Sequence, residues 1–161
     1  LTGIAFDLPS EAQWEFAARA GHGEWRWGNG ALYTQEYGCK NIPGRYQRNG
    51  GCLPGETWPP PSADCDETKG TSFVGSYDAN GWGLYDCHGN IQEFCLGWFK
   101  KDITQDGGAV ITVANSSQLR VARGGAWQMR TKECRSAFRN TTDSSGRYQT
   151  VGLRLFCPMG E

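Results

Sequence analysis

Glycine interrupts this chain at 23 of its 161 positions. It offers no side chain to pack and loses more backbone freedom on folding than any other residue. At this density it favours turns over long regular elements. Seven tryptophans, six tyrosines and seven phenylalanines supply large aromatic anchors instead. The expectation is one loop-rich α+β domain with few short strands, long enough to bury a core.

One segment reads as a helix. Ser10 is a good N-cap, and Ser10 with Gln13 forms a capping box. Glu11 suits the positive helix end, Trp14, Ala17 and Ala18 recur at helical spacing, and Gly21 is a ready stop. This predicts a helix over 11–20. From Gly21 to Gly75 the chain breaks into turns, including the Pro59-Pro60-Pro61 run, yet carries Trp25, Trp27, Tyr33, Tyr37, Tyr46 and Trp58. So long an irregular excursion needs fastening by cysteine bridges or bound cations. Short strands are predicted near 84–85, 91–96, 110–113, 119–123, 136–139 and 152–156, the last with Arg154 between Leu153 and Leu155.

A net charge of −1 with scattered basic residues gives no electrostatic case for nucleic acid or an anionic membrane. No apolar run approaches the length of about 18 residues that would span a bilayer. The N-terminus lacks both a signal-peptide pattern and an initiator Met, which suggests a trimmed or incomplete chain. The seven cysteines, at 39, 52, 65, 87, 95, 134 and 157, favour disulfides and an extracellular, cell-surface or periplasmic setting. Cys39, Cys52 and Cys65 are placed to restrain the long excursion. No zinc spacing occurs.

Several longer motifs carry more. They are Leu8-Pro-Ser-Glu-Ala-Gln-Trp-Glu-Phe-Ala-Ala-Arg19, Asn80-Gly-Trp-Gly-Leu-Tyr-Asp-Cys-His-Gly-Asn90, Arg120-Val-Ala-Arg-Gly-Gly-Ala-Trp127, Cys134-Arg-Ser-Ala-Phe-Arg139 and Val151-Gly-Leu-Arg-Leu155. In this order they resemble the formylglycine-generating enzyme, or sulfatase-modifying factor, family. The resemblance implies a C-type-lectin-like fold over 1–161, apparently without the family's N-terminal portion. Another chain or a longer parent would supply that portion.

In the family's catalytic branch two cysteines bind copper and oxidise a substrate cysteine. By position the first falls on Met129 and the second on Cys134. The active-site serine falls on Ala126, and a tryptophan near the oxygen pocket on Gln92. A thioether with one thiolate cannot reproduce a two-thiolate copper(I) site, so neither copper nor catalysis is expected. A copper-dependent oxidase using Met129 and Cys134 is the alternative from the enzyme class. A structural module of a larger secreted or surface assembly is another.

Two structural calcium sites of the family are matched. One would use Asn41, Ile42, Asp66 and Thr68; the other Asp86, Gly89, Ile91 and Glu93. The spacing Asp86-x-x-Gly-x-Ile-x-Glu93 by itself supplies the mixed carboxylate and carbonyl oxygens that calcium prefers. Asn140-Thr-Thr142 matches a glycosylation sequon.

Residues 127–150 resemble the ligand-facing stretch of variable proteins diversified by retroelements. Trp127, Gln128, Met129, Arg130, Lys132 and Tyr148 are the expected binding face, for a protein or glycan.

Overall fold

A computed structural model of the chain describes residues 5–24, 27, 44–46, 70–99 and 119–157. They form an α+β, loop-rich fold with one N-terminal helix and a small sheet.

Helix α1 spans Glu11–Arg19, with both hydrogen bonds of the Ser10–Gln13 capping box in place. Its stop falls one residue earlier than the sequence suggests: Ala20 itself takes the left-handed conformation, at φ 50°. Trp14 and Ala18 form the buried face of the helix.

The sheet consists of β1 (Gln92–Trp98), β2 (Leu119–Arg123), β3 (Asn140–Asp143) and β4 (Val151–Leu153), in the order β3-β2-β1-β4. β2 runs antiparallel to β1 and β3, and β4 runs parallel to β1. Helix α1 packs on β1 and β2. Trp14, Ala18, Cys87, Cys95 and Val121 form the core between them, and Tyr46, Tyr77 and Cys134 form a second cluster.

Two predicted strands differ. Residues 84–85 lie outside any strand, and the one placed at 136–139 begins only at Asn140. The reason is Arg123, whose guanidinium takes the carbonyls of Ser136, Ala137 and Phe138. Turned toward that guanidinium, these carbonyls do not point along a ladder. The alternation around Arg154 holds, with Leu153 and Leu155 outward at 58% and 60% exposed. The strand predicted at 110–113 lies outside the described residues.

The disulfide expectation is corrected. Cys87, Cys95 and Cys134 are buried free thiols, and Cys157 is an exposed one. Buried cysteine packs as a small apolar residue, and here the thiols are divided between two separate clusters. Cys39, Cys52 and Cys65 lie outside the described residues. No helix among the described residues is long and apolar enough to cross a membrane.

Candidate functional site

The start of β1 organises the site. Residue 92 pairs with residue 151, residue 93 with residue 123, and residue 122 with residue 140. The chain therefore leaves β2 and enters both β3 and β4 at the same end of the sheet. Asn90 ties this end together. Its carbonyl accepts from the Trp127 N–H at 2.9 Å, and its own N–H donates to the Arg45 carbonyl at 2.6 Å. Its side chain exchanges hydrogen bonds with the Ser72 backbone. Gln92 N–H donates to the Thr150 carbonyl at 2.8 Å, which fixes the far end of the 144–150 turn nearby.

The positions matched to a copper centre are closed. Cys134 is 0% exposed. Burial pushes its thiol far above the ordinary range, the neighbouring Glu133 adds to that, and a hydrogen bond with the Ala126 backbone opposes it. Such a thiol stays protonated, whereas a metal ligand must be a thiolate. Met129 packs against the Tyr46–Tyr77–Cys134 cluster, so it forms the floor of the face and is not a free side chain. Gly125 completes the closure: a Cβ there would lie 2.5 Å from Cys134 Sγ and 2.8 Å from the Glu133 carbonyl. Buried Gln92 accepts from the Asn140 amide at 2.5 Å. No group of three or more His, Cys, Asp or Glu residues able to hold a metal is found among the described residues.

Around this closed floor Trp127 is half-buried, whereas Gln128, Arg130 and Lys132 are exposed. Tyr148, on the 144–150 turn, is 44% exposed. The short 3-10 turn Thr131–Cys134 presents Arg130 and Lys132 to solvent by burying Thr131 and Cys134 beneath them.

The second calcium motif forms a tight turn in which Asp86, Gly89 and Asn90 all have positive φ. Asp86, Ile91 and Glu93 line one cavity of about 470 Å³, with Val74, Leu84 and Arg154 among the other walls. Gly89 is not on that wall; its N–H donates to the Gly124 carbonyl at 2.7 Å. Asp86 Oδ2 accepts from Gly75 N–H at 2.6 Å, and Asp86 Oδ1 is buried with no partner among the described residues. A bound cation would satisfy that oxygen. Glu93 is already engaged, by Trp14 Nε1 at 2.6 Å and by the Arg154 fork at 2.6 and 2.9 Å. The turn thus fits one hard cation through Asp86, on condition that Glu93 shares its oxygens with Arg154. The first calcium set, Asn41, Ile42, Asp66 and Thr68, lies outside the described residues.

Sequence reasoning did not assign functions to Arg154, Arg123 and His88. The available signal was Arg154, a lone basic residue between Leu153 and Leu155; Arg123, with Arg120 in the same strand, and His88, in a turn, gave none.

Residues 2–158 match the sulfatase-modifying factor enzyme 1-like domain. The chain belongs to that family. It is 32% identical over 152 residues to a formylglycine-generating enzyme of Thermomonospora curvata, covering 88% of this chain and 46% of the relative. It is 28% identical over 156 residues to the chaperone protein LppX of Paenibacillus barcinonensis, covering 93% and 48%. Among solved structures, Treponema denticola variable protein 1 superposes with a TM-score of 0.65 at 26% identity, covering 96% of this chain and 48% of that one. The chain thus spans about half the length of these relatives.

Proposed function

We propose that this chain is a non-catalytic ligand-binding module that displays residues 127–150 on a C-type-lectin-like scaffold. One observation carries the reading. The position equivalent to the second catalytic cysteine is a buried, protonated thiol in the cluster that Met129 packs against, while Arg130, Lys132 and Tyr148 face solvent. A rigid floor with exposed Arg, Tyr and Trp side chains is the arrangement of a recognition surface, because ordering few side chains keeps the entropic cost of binding low. The likeness to a variable protein supports a stable scaffold carrying an adaptable stretch.

In this reading Trp127 and Tyr148 supply contact area, and Gln128, Arg130 and Lys132 fix register by hydrogen bonds. Calcium, at one or two ions, has a structural role. At the described turn Asp86 would hold it, with the carbonyl of Ile91 and a shared oxygen of Glu93. Exposed Leu153 and Leu155 at the edge strand, together with exposed Phe6, support a longer parent chain or another chain covering that edge. An extracytoplasmic location belongs to the same reading.

The test is a peptide and glycan array probed with the wild-type chain and with the Arg130→Ala/Tyr148→Ala variant. Spots that the wild type binds and the variant loses support the face. Spots retained in full by the variant place binding elsewhere. Stoichiometric copper(I) binding lost in Cys134→Ser would revive the oxidase.

A further inference from the structure

The basic residues are unevenly distributed. Arg130, Lys132, Arg135, Arg139 and Arg147 against Glu133 and Asp143 leave residues 127–150 at +3, in a chain whose net charge is −1, so the remainder sums to −4. The structure reduces this imbalance at one position. Arg139 is neutralised by Glu11. The side chains of Arg130, Lys132 and Arg147 have no partner among the described residues, and Arg135 spends only its Nε, on the Lys132 carbonyl at 2.7 Å.

The two acids of the stretch keep their charge but form no ion pair with these cations among the described residues. Glu133 Oε2 accepts from the Arg130 backbone N–H at 2.9 Å. Asp143 accepts both the N–H and the hydroxyl of Ser145 at 2.8 Å. Three cationic residues thus lie within the single turn 130–135, two of them exposed and Arg135 half-buried, and a fourth lies on the 144–150 turn, which re-enters the sheet at the end where β2 leaves it.

Resting on the binding face proposed above, we infer that its ligand is an acidic polypeptide segment, held by carboxylates in the forks of Arg130 and Arg135 and on Lys132. Guanidinium groups match carboxylates two bonds at a time. The half-buried Trp127 and exposed Tyr148 of the same stretch add flat apolar contact of the kind that favours protein surfaces. The small polar residues Ser144, Ser145 and Gly146 leave that surface accessible.

Gly146 adds a second lever. A Cβ there would run into the Tyr148 ring and hydroxyl. The obstructing atoms belong to an exposed side chain, so Gly146→Ala moves Tyr148 without disturbing the core.

The experiment measures binding of the full chain to immobilised poly-L-glutamate, with heparin as the sulfated-polysaccharide comparison. Poly-L-glutamate is expected to be retained more tightly than heparin, with affinity falling about tenfold or more between low and high salt. Arg130→Glu/Lys132→Glu should weaken it by about tenfold, and Gly146→Ala by less, with the thermal melts of both variants unchanged. Tighter heparin binding would replace the acidic polypeptide by a sulfated glycan and overturn the inference. So would poly-L-glutamate binding that the charge reversal leaves unchanged. If poly-L-glutamate is not bound but array ligands still depend on Arg130 and Tyr148, the face stands and its acidic preference falls. If neither binds, the face itself is wrong.

Discussion

The indole N–H of Trp14 donates to a carboxylate oxygen of Glu93 at 2.6 Å, across 79 residues of chain. The same carboxylate holds Arg154, so one buried acid joins α1, β1 and the end of β4. Glu93→Ala would leave the Arg154 charge and the Trp14 N–H without their acceptor. Removing one partner of such a pair should destabilise the fold by about 3–5 kcal/mol, measured by urea denaturation. Trp14→Phe, which removes the N–H and part of the core volume, should cost less. A Glu93→Ala midpoint equal to wild type would show that this carboxylate does not hold the helix to the sheet.

Arg123 is fully buried between Glu11 and Glu15 on one side and three carbonyls on the other. It also lies over the Trp14 ring, 5.4 Å from its centroid. Lysine keeps the charge but lacks the planar fork, so at least one carbonyl loses its donor. Arg123→Lys should cost about 2 kcal/mol or more, read as a lower thermal midpoint.

His88 donates from Nδ1 to the Cys134 carbonyl at 2.9 Å. Burial lowers its pKa from 6.5 to about 4; that hydrogen bond opposes the shift and Arg19 adds to it. The unfolded imidazole takes up a proton first. The contribution to stability is therefore complete above pH 6.5 and is lost as pH falls through about 4. Within that window it changes by at most about 1.4 kcal/mol per pH unit. An NMR titration should show His88 still neutral at pH 5. A midpoint near 6.5 would refute this.

Burial pushes the Cys87 and Cys95 thiols from 9.0 up to about 12, in each case partly offset by a nearby arginine. The folded state favours the neutral thiols, so their contribution is intact below pH 9.0 and lost as pH rises toward 12. Among the described cysteines, a thiol reagent at neutral pH should modify Cys157 quickly. Cys87, Cys95 and Cys134 should react only in denaturant, as peptide mapping would reveal.

Calcium should raise the thermal midpoint and a chelator should lower it, because a cation satisfies Asp86 Oδ1. Asp86→Ala should abolish the part of that response that arises at this turn. Identical melts of the wild type in calcium and chelator would remove calcium from the scaffold.

The sequence by itself determined the local elements and the family. The Ser10–Gln13 capping box and the helix after it needed only neighbouring residues. The strand at 119–123 was read from alternation, the one read at 91–96 runs over 92–98, and glycine density determined the loop-rich character. The family motifs marked where a catalytic pair would stand and that Met129 had replaced one member. Spacing along the chain carries no information about what meets across the sheet. Only the tertiary structure decided that Cys87, Cys95 and Cys134 pack as buried thiols, that Met129 packs against the cluster holding Cys134, and that Arg123 takes the carbonyls expected of a strand. It also decided that Arg154 points inward to Glu93 while its flanking leucines face out. Each of these is set by long-range burial and by the need to pair buried charge, which act between residues tens of positions apart.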